Sequence, residues 1–433
     1  MWQPFTQMQG WPQEHAPVID RAEGSWLWDS EGCRYIDGVS SLWCNVHGHR
    51  HPRIDAAVRD QLDRVAHSTM LGLSHPGAEH LARRLVELAP GAKDGAPGPL
   101  TRVFYSDSGS TAVEVALKMA FQYWHQSGGG PGRTKFICLE NAYHGDTVGS
   151  VSLGGIELFH SLYGPLLFDA VRVPAGDATA LEEALHRNAR QVAAVIVEPL
   201  VQGAAGMQLQ PRGYLRSVRS LCDRHDTLLI CDEVATGFGR TGTMFACEQE
   251  DVVPDFLCLA KGLSGGYLPI AATLTTGRVH SAFLGSHEEF RTFFHGHTFT
   301  GNPLACAAAL ASLDVFDEER TLERLRPKID LFGQLLADLV EPLPQVAEVR
   351  RRGFMCGIEL TARPGRPYEA ADRMGHRVTL EARERGAIIR PLGDVVVLTP
   401  PLSIEADLLE ELVEVTADSI AAATESWSGL RAA

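Results

Sequence analysis

The stretch from Leu228 to Lys261 constrains the fold of this chain more than any other. It contains two short apolar runs, residues 228–231 and 256–260, and each ends in one charged side chain, Asp232 and Lys261. Runs this short and this dense in apolar residues read as strands buried on both faces, which belong in parallel sheets covered by helices. Ligands of an open α/β sheet bind beyond the carboxyl ends of its strands, so the acid and the lysine are placed to face one crevice. Read singly, a charge after a strand is an ordinary turn residue or an exposed charge. The rest of the chain decides between these readings.

The alternation extends to either side. Residues 135–139, 192–197 and 270–275 read as further strands, the second ending in Glu198-Pro199, and residues 54–65, 80–88 and 214–225 carry helical spacing. A glycine- and proline-rich connection spans residues 91–99. At Val103-Phe-Tyr-Ser-Asp-Ser-Gly109-Ser110 a strand breaks into small residues and opens into a helix over residues 111–126, where Thr111-Ala-Val-Glu114 fits a capping box. Unpaired amides at such a helix start, with Gly109 allowing close approach and the Ser110 hydroxyl beside it, make an anion site; an ordinary N-cap has the same look. Strands alternating with helices predict an α/β fold with a largely parallel sheet wrapped on both sides.

Past Pro303 the character changes. Helices over residues 305–316 and 322–340 precede short strands at 345–351, 357–360, 387–390 and 395–399, which predicts a smaller α+β domain sharing its sheet with the amino-terminal arm. Residues 25–29 and 33–37 alternate like a hairpin, and Trp2-Gln-Pro-Phe-Thr-Gln-Met8 reads as an extended arm laid on another surface. The expected organisation is residues 1–45 as arm and part of the small domain, 46–302 as a large ligand-binding domain, and 303–433 as the small domain. Two domains are the ordinary outcome for a chain of 433 residues.

A formal net charge of -15 disfavours nucleic acid or an anionic membrane as partner, because both require a basic surface. Nine cysteines occur without a C-x-x-C pair, and Cys231 and Cys258 fall inside strand runs, as small core residues do. With no basic-then-apolar leader and no run of roughly 20 apolar residues, a cytoplasmic protein is expected. His47, His49 and His51 alternate as metal ligands on a strand would, but no fourth ligand is in view, and Gly48 and Pro52 argue against a strand. Gly237-Phe-Gly239-Arg-Thr-Gly242 matches the G-x-G-x-x-G of a NAD-dependent dehydrogenase. It lacks the helix that must begin within it, and the next strand ends in Lys261 where an acid is needed. A lysine and an aspartate at neighbouring strand ends suit pyridoxal phosphate instead, whose aldehyde needs an amine and whose pyridine nitrogen needs a carboxylate.

Taken together, Asp232-Glu-Val-Ala-Thr-Gly-Phe-Gly-Arg-Thr-Gly242 and Ala260-Lys261-Gly262 resemble the signature of the class III aminotransferases, which use pyridoxal 5'-phosphate. Ser41-Leu-Trp-Cys-Asn-Val-His-Gly-His49, Tyr143-His-Gly-Asp-Thr147, Glu198-Pro-Leu-Val-Gln-Gly203 and Thr300-Gly-Asn-Pro-Leu-Ala-Cys306 are similar to the branch of that family that converts 8-amino-7-oxononanoate to 7,8-diaminononanoate in biotin biosynthesis. The similarity spans nearly the whole chain. It implies fold type I of the pyridoxal-phosphate-dependent transferases and a ping-pong transfer in a homodimer with shared sites. Carried over residue by residue, it implies that Lys261 forms the internal aldimine and shuttles the proton at substrate Cα, and that Asp232 holds the pyridine nitrogen protonated. Gly109 and Ser110 would bind the phosphate, Tyr143 would stack on the ring, His297 would join the cofactor set, and Thr298 would reach the phosphate in the neighbouring subunit. Leu42, Trp43, Tyr143 and Gly296 would line the substrate site, with Arg390 clamping the carboxylate of the keto-acid by a bidentate pair.

Departures concern the amino donor. Leu42-Trp43, Pro4-Phe5 and His295-Gly-His297-Thr298 resemble the branch in which lysine serves, so S-adenosylmethionine and lysine both stand as donors. Ala204 stands where relatives acting on amino acids often carry a glutamate that screens an arginine. Another class III ω-aminotransferase or aminomutase would share every cofactor residue.

Overall fold

The computed structural model describes residues 1–11, 16–93, 96–128, 132–425 and 427; residues 94 and 95 of the 91–99 connection lie outside this set. Strands β1 (Ile19–Glu23), β2 (Trp26–Asp29) and β3 (Arg34–Asp37) pair antiparallel in sequence order. Next come β4 (Leu100–Ser106), β5 (Lys135–Leu139), β6 (Val171–Val173) and β7 (Val192–Val197), then a short ribbon of β8 (Val201–Gln202) with β9 (Gln208–Leu209). With β10 (Leu228–Asp232), β11 (Phe256–Leu259) and β12 (Ala271–Thr276), they build a seven-stranded sheet in the order β4-β12-β11-β10-β7-β5-β6. Only β12 runs against its neighbours, pairing antiparallel with β11 and β4.

The unbroken apolar runs of the central strands follow from burial on both faces. Ile230, Phe256 and Cys258 pack with Ala112, Ala116 and Trp124 of the helix Gly109–Gln126, while Leu229, Cys231 and Leu257 pack on the opposite side with Leu215 and Val218 of the helix Tyr214–Arg224. Successive side chains point to opposite faces, so a strand covered on both sides shows no alternation. Each fully buried Leu or Ile there contributes roughly 1.5–3 kcal/mol.

Towards the carboxyl end, β13 (Val346–Arg352), β14 (Met355–Leu360), β16 (Arg390–Leu392) and β17 (Val395–Leu398) form a second sheet in the order β13-β14-β17-β16, and β15 (Ala387–Ile388) lies parallel to β3. Residues from both ends of the chain therefore share one sheet. The single strand expected over residues 387–390 is divided: its first half bonds to β3 and its second to β17, with buried Ile389 at the crossing.

Two further expectations are corrected. The helix expected from Thr111 starts at Gly109, and the capping box is formed by Ser108 with Thr111 in place of Thr111 with Glu114. Ser108 is extended (φ -147°, ψ 160°), as an N-cap must be, whereas Thr111 is already inside the first turn. Glu114 is thereby released to accept from the Thr147 hydroxyl and the Gly149 amide. The arm is turned, not extended: Phe5 has φ 50°, and its ring sits edge-on to Phe159 at 5.5 Å.

The three alternate histidines go to separate partners, His47 to Ser312, His49 to Asp37 and His51 to Glu319. Gly237 to Gly242 begins no helix, which removes the dinucleotide reading; Arg240 is buried there and donates to the carbonyls of Asn45, Thr399 and Pro400. Among the described residues no helix is long and apolar enough to cross a membrane.

Candidate active site

Strands β7, β10 and β11 lie side by side and parallel, so their carboxyl ends open on one edge of the sheet. Each leads to an ionisable residue: Glu198 directly after β7, Asp232 as the last residue of β10, and Lys261 two positions past β11. All three line a crevice of about 710 Å³, together with Trp43, Gly109, Ser110, Tyr143 and His144.

Lys261 has φ 43°, a left-handed conformation that costs a residue other than glycine roughly 1–3 kcal/mol and concentrates at functional sites. Its ammonium stands 5.0 Å from the centre of the Trp43 ring. Burial holds its pKa below the ordinary lysine value, against the opposing pull of Asp232, Glu198 and Cys44. Desolvation of this kind favours the neutral amine, the form able to act as nucleophile or base.

Asp232 is held through both oxygens. His144 Nδ1 lies 2.7 Å from Oδ2 and the Val234 amide donates to Oδ1 at 3.1 Å. A carboxylate only accepts, so the imidazole carries its hydrogen on Nδ1. The other ring nitrogen of His144, Nε2, is buried without a hydrogen-bond partner among the described residues. Glu198 accepts from the backbone amides of Tyr143 at 3.1 Å and Gly203 at 3.0 Å, and burial pushes its carboxyl up to about 7.

The corrected helix start brings Gly109 and Ser110 into the first turn, where amides have no partner within the helix. Ser110 Oγ accepts from the Thr147 amide at 3.0 Å and lies 2.8 Å from the Thr147 hydroxyl. Glycine is required for this closeness. A Cβ at Gly145, which has φ 113°, would stand 2.4 Å from Ser110 Oγ, and one at Gly109 would stand 2.5 Å from Val234 Cγ1.

Tyr143 donates to Asp146 at 2.7 Å, and burial raises its phenol pKa. Arg390 opens β16 half-buried beside it; burial lowers the guanidinium pKa, and Tyr143 stands close enough to act on its charge. Lys261, Asp232, Gly109, Ser110, Tyr143 and Trp43 are thus gathered in one crevice, with Arg390 near Tyr143. Leu42, Gly296, His297 and Thr298 do not line it. Leu42 is 49% exposed, and Gly296 and Thr298 are exposed on a segment laid along the helix Gly109–Gln126, where His295 lies 3.0 Å from Lys118. His297 Nδ1 lies 4.0 Å from Asp107 at the crevice edge.

Reasoning from sequence assigned no role to Glu198, His144 or Thr147. Glu198 carried a usable signal, since it ends an apolar strand as Asp232 does. His144 carried none, because its partner lies 88 residues away.

A desolvated lysine and a braced carboxylate meeting beside a helix start define an enzyme site made for a ligand that is anionic at one end and reacts with an amine at the other. The chain belongs to the class III aminotransferase family, whose profile matches residues 9–420. It is 60% identical to the adenosylmethionine-8-amino-7-oxononanoate aminotransferase of Nitratidesulfovibrio vulgaris, over 98% of this chain and 81% of that relative. The crystal structure of the adenosylmethionine-8-amino-7-oxononanoate aminotransferase from Methanocaldococcus jannaschii superposes with a TM-score of 0.94 at 43% identity, covering 98% of this chain and 97% of that one. An amine transaminase from an uncultivated Pseudomonas species, in its PLP-bound form, matches with a TM-score of 0.90 at 37% identity and 98% coverage of both chains.

Proposed function

We propose that this chain transfers an amino group to 8-amino-7-oxononanoate, giving 7,8-diaminononanoate in biotin biosynthesis, by a ping-pong reaction with pyridoxal 5'-phosphate. The 60% identity to the Nitratidesulfovibrio vulgaris enzyme across 98% of the chain carries this reading. The crevice fits the cofactor: unpaired first-turn amides at Gly109 and Ser110 suit a phosphate, and the gap kept by Gly109 and Gly145 would close if either carried a Cβ. When bound, the cofactor supplies an aldehyde for the incoming amine and a protonated ring that draws electrons from the substrate Cα.

The remaining work falls to the chain. Lys261 would hold the aldehyde carbon and move the proton at Cα, for which its desolvated amine is suited. Asp232, braced by His144, would keep the proton on the ring nitrogen. The Gly109 and Ser110 amides and the Ser110 hydroxyl would donate to the phosphate, with Thr147 holding Ser110 in place through its amide, Tyr143 would cover the ring, and Arg390 would bind the carboxylate of the acceptor with its planar fork. We also place the protein in the cytoplasm, consistent with nine free cysteines, most of them buried.

For the donor we assign S-adenosylmethionine. The names of the relatives carry it, and the Trp43 face beside Lys261 offers the aromatic wall that a sulfonium favours. Leu42, which pointed to lysine, stands half exposed outside the crevice. Titrating the cofactor-loaded protein with S-adenosylmethionine is expected to discharge its long-wavelength absorbance, and 8-amino-7-oxononanoate is expected to restore it. Discharge by lysine but not by S-adenosylmethionine overturns the donor assignment. Failure of 8-amino-7-oxononanoate to restore the band overturns the acceptor.

The active unit we propose is a homodimer, with Thr298 completing the phosphate site of the neighbouring subunit. Leu71, Leu73, Phe290, Phe294 and Phe299 are exposed on the single chain, large apolar side chains of the kind a subunit interface covers. Sedimentation at assay concentration should give twice the chain mass. A fully active monomer would refute the shared site.

A further inference from the structure

We propose that Glu182, His186 and His225 form a binding site for a divalent transition-metal ion of the zinc class, at the edge of the sheet opposite the crevice. Glu182 and His186 stand one turn apart on the helix Ala178–Arg187, and His225 is the C-cap of the helix Tyr214–Arg224 packed beside it. These helices lead into β7 and β10, so their carboxyl ends lie at the amino ends of the strands whose other ends carry Glu198 and Asp232.

One potential ligand atom from each of the three residues lies within 4.8 Å of the other two. The imidazoles meet edge to face, with ring centres 4.7 Å apart at 84°. Neither ring has a hydrogen-bond partner among the described residues. Glu182 Oε1 accepts from Arg224 at 2.8 Å, which orients the carboxylate and leaves Oε2 for the ion, as partners behind a ligand commonly do.

Two imidazole nitrogens and one carboxylate oxygen form a donor set that suits zinc and its neighbours; calcium and magnesium require oxygen donors. In a tetrahedral site with metal–ligand bonds of about 2.0–2.1 Å, ligand atoms are roughly 3.3–3.4 Å apart, so small side-chain rotations close the observed spacing. Both helices present their carboxyl ends to the site, and the partial negative charge there favours a cation. Three protein ligands leave a position for water. The ion would clamp two helix ends together and stabilise the folded chain by mass action.

The test uses untagged, cofactor-loaded protein, stripped of metal with a chelator and titrated with Co(II) and then Zn(II). One equivalent of Co(II) is expected to bind with the visible bands of a four-coordinate ion, to be displaced by Zn(II), and Zn(II) is expected to raise the melting temperature. His186→Ala and His225→Ala should each weaken binding by about tenfold or more and remove the melting shift, with transamination retained. His186 is exposed, so its replacement leaves the fold intact. Absence of saturable binding, or binding unchanged in both histidine variants, overturns the proposal.

Discussion

Lys261→Ala is expected to fold and to lose transamination by roughly 10⁴-fold or more, because it removes both the amine that engages the cofactor and the base that moves the proton at Cα. Stability should hold or rise: the wild-type chain buries an amine whose charged form is disfavoured there, and alanine removes that burden. The backbone strain at φ 43° persists in the variant, so it contributes little to the difference. Borohydride reduction of the cofactor-loaded wild type followed by peptide mapping should label Lys261. A label on Lys118 or Lys135, or appreciable turnover by the variant, would remove Lys261 from its role.

Asp232→Asn is the second change with a large expected effect, a loss of roughly 10²–10³-fold in turnover, the scale on which one positioned electrostatic contact acts in a water-poor site. The amide matches the carboxylate in size and can still accept from the Val234 amide, so the melting temperature should move little. What it cannot do is balance a proton on the cofactor ring nitrogen, and His144 loses its charged acceptor as well. Turnover near the wild-type value would show that Asp232 does not face that nitrogen.

The features legible in the sequence were those encoded over a few residues. Apolar runs of four to six residues between turn signals marked β7, β10 and β11 within about one residue of their ends, and the strand-end rule placed Asp232 and Lys261 in one crevice. The helix start near Gly109 was also legible, but its cap was placed three residues late because Ser108 and Thr111 both resemble caps, and only the backbone angle of Ser108 separates them. Residues 387–390 were legible as extended chain, but not as a chain that changes sheets, because β17 follows close behind while β3, the partner of the first half, lies at the other end of the sequence.

By itself, then, the sequence determined the α/β alternation, the acid and the lysine at strand ends, and the small-residue break beside them, since hydrogen bonding and steric packing within a short stretch suffice to specify each. The tertiary structure alone decided the order β4-β12-β11-β10-β7-β5-β6, which sets the exits of β7, β10 and β11 side by side and turns Glu198 from a strand-end residue into a wall of the crevice. It alone brought His144 to Asp232, and Glu182 and His186 to His225. The physical reason is common to these cases: contacts between residues far apart in sequence follow from which apolar faces cover one another, and that choice is made by the whole core at once.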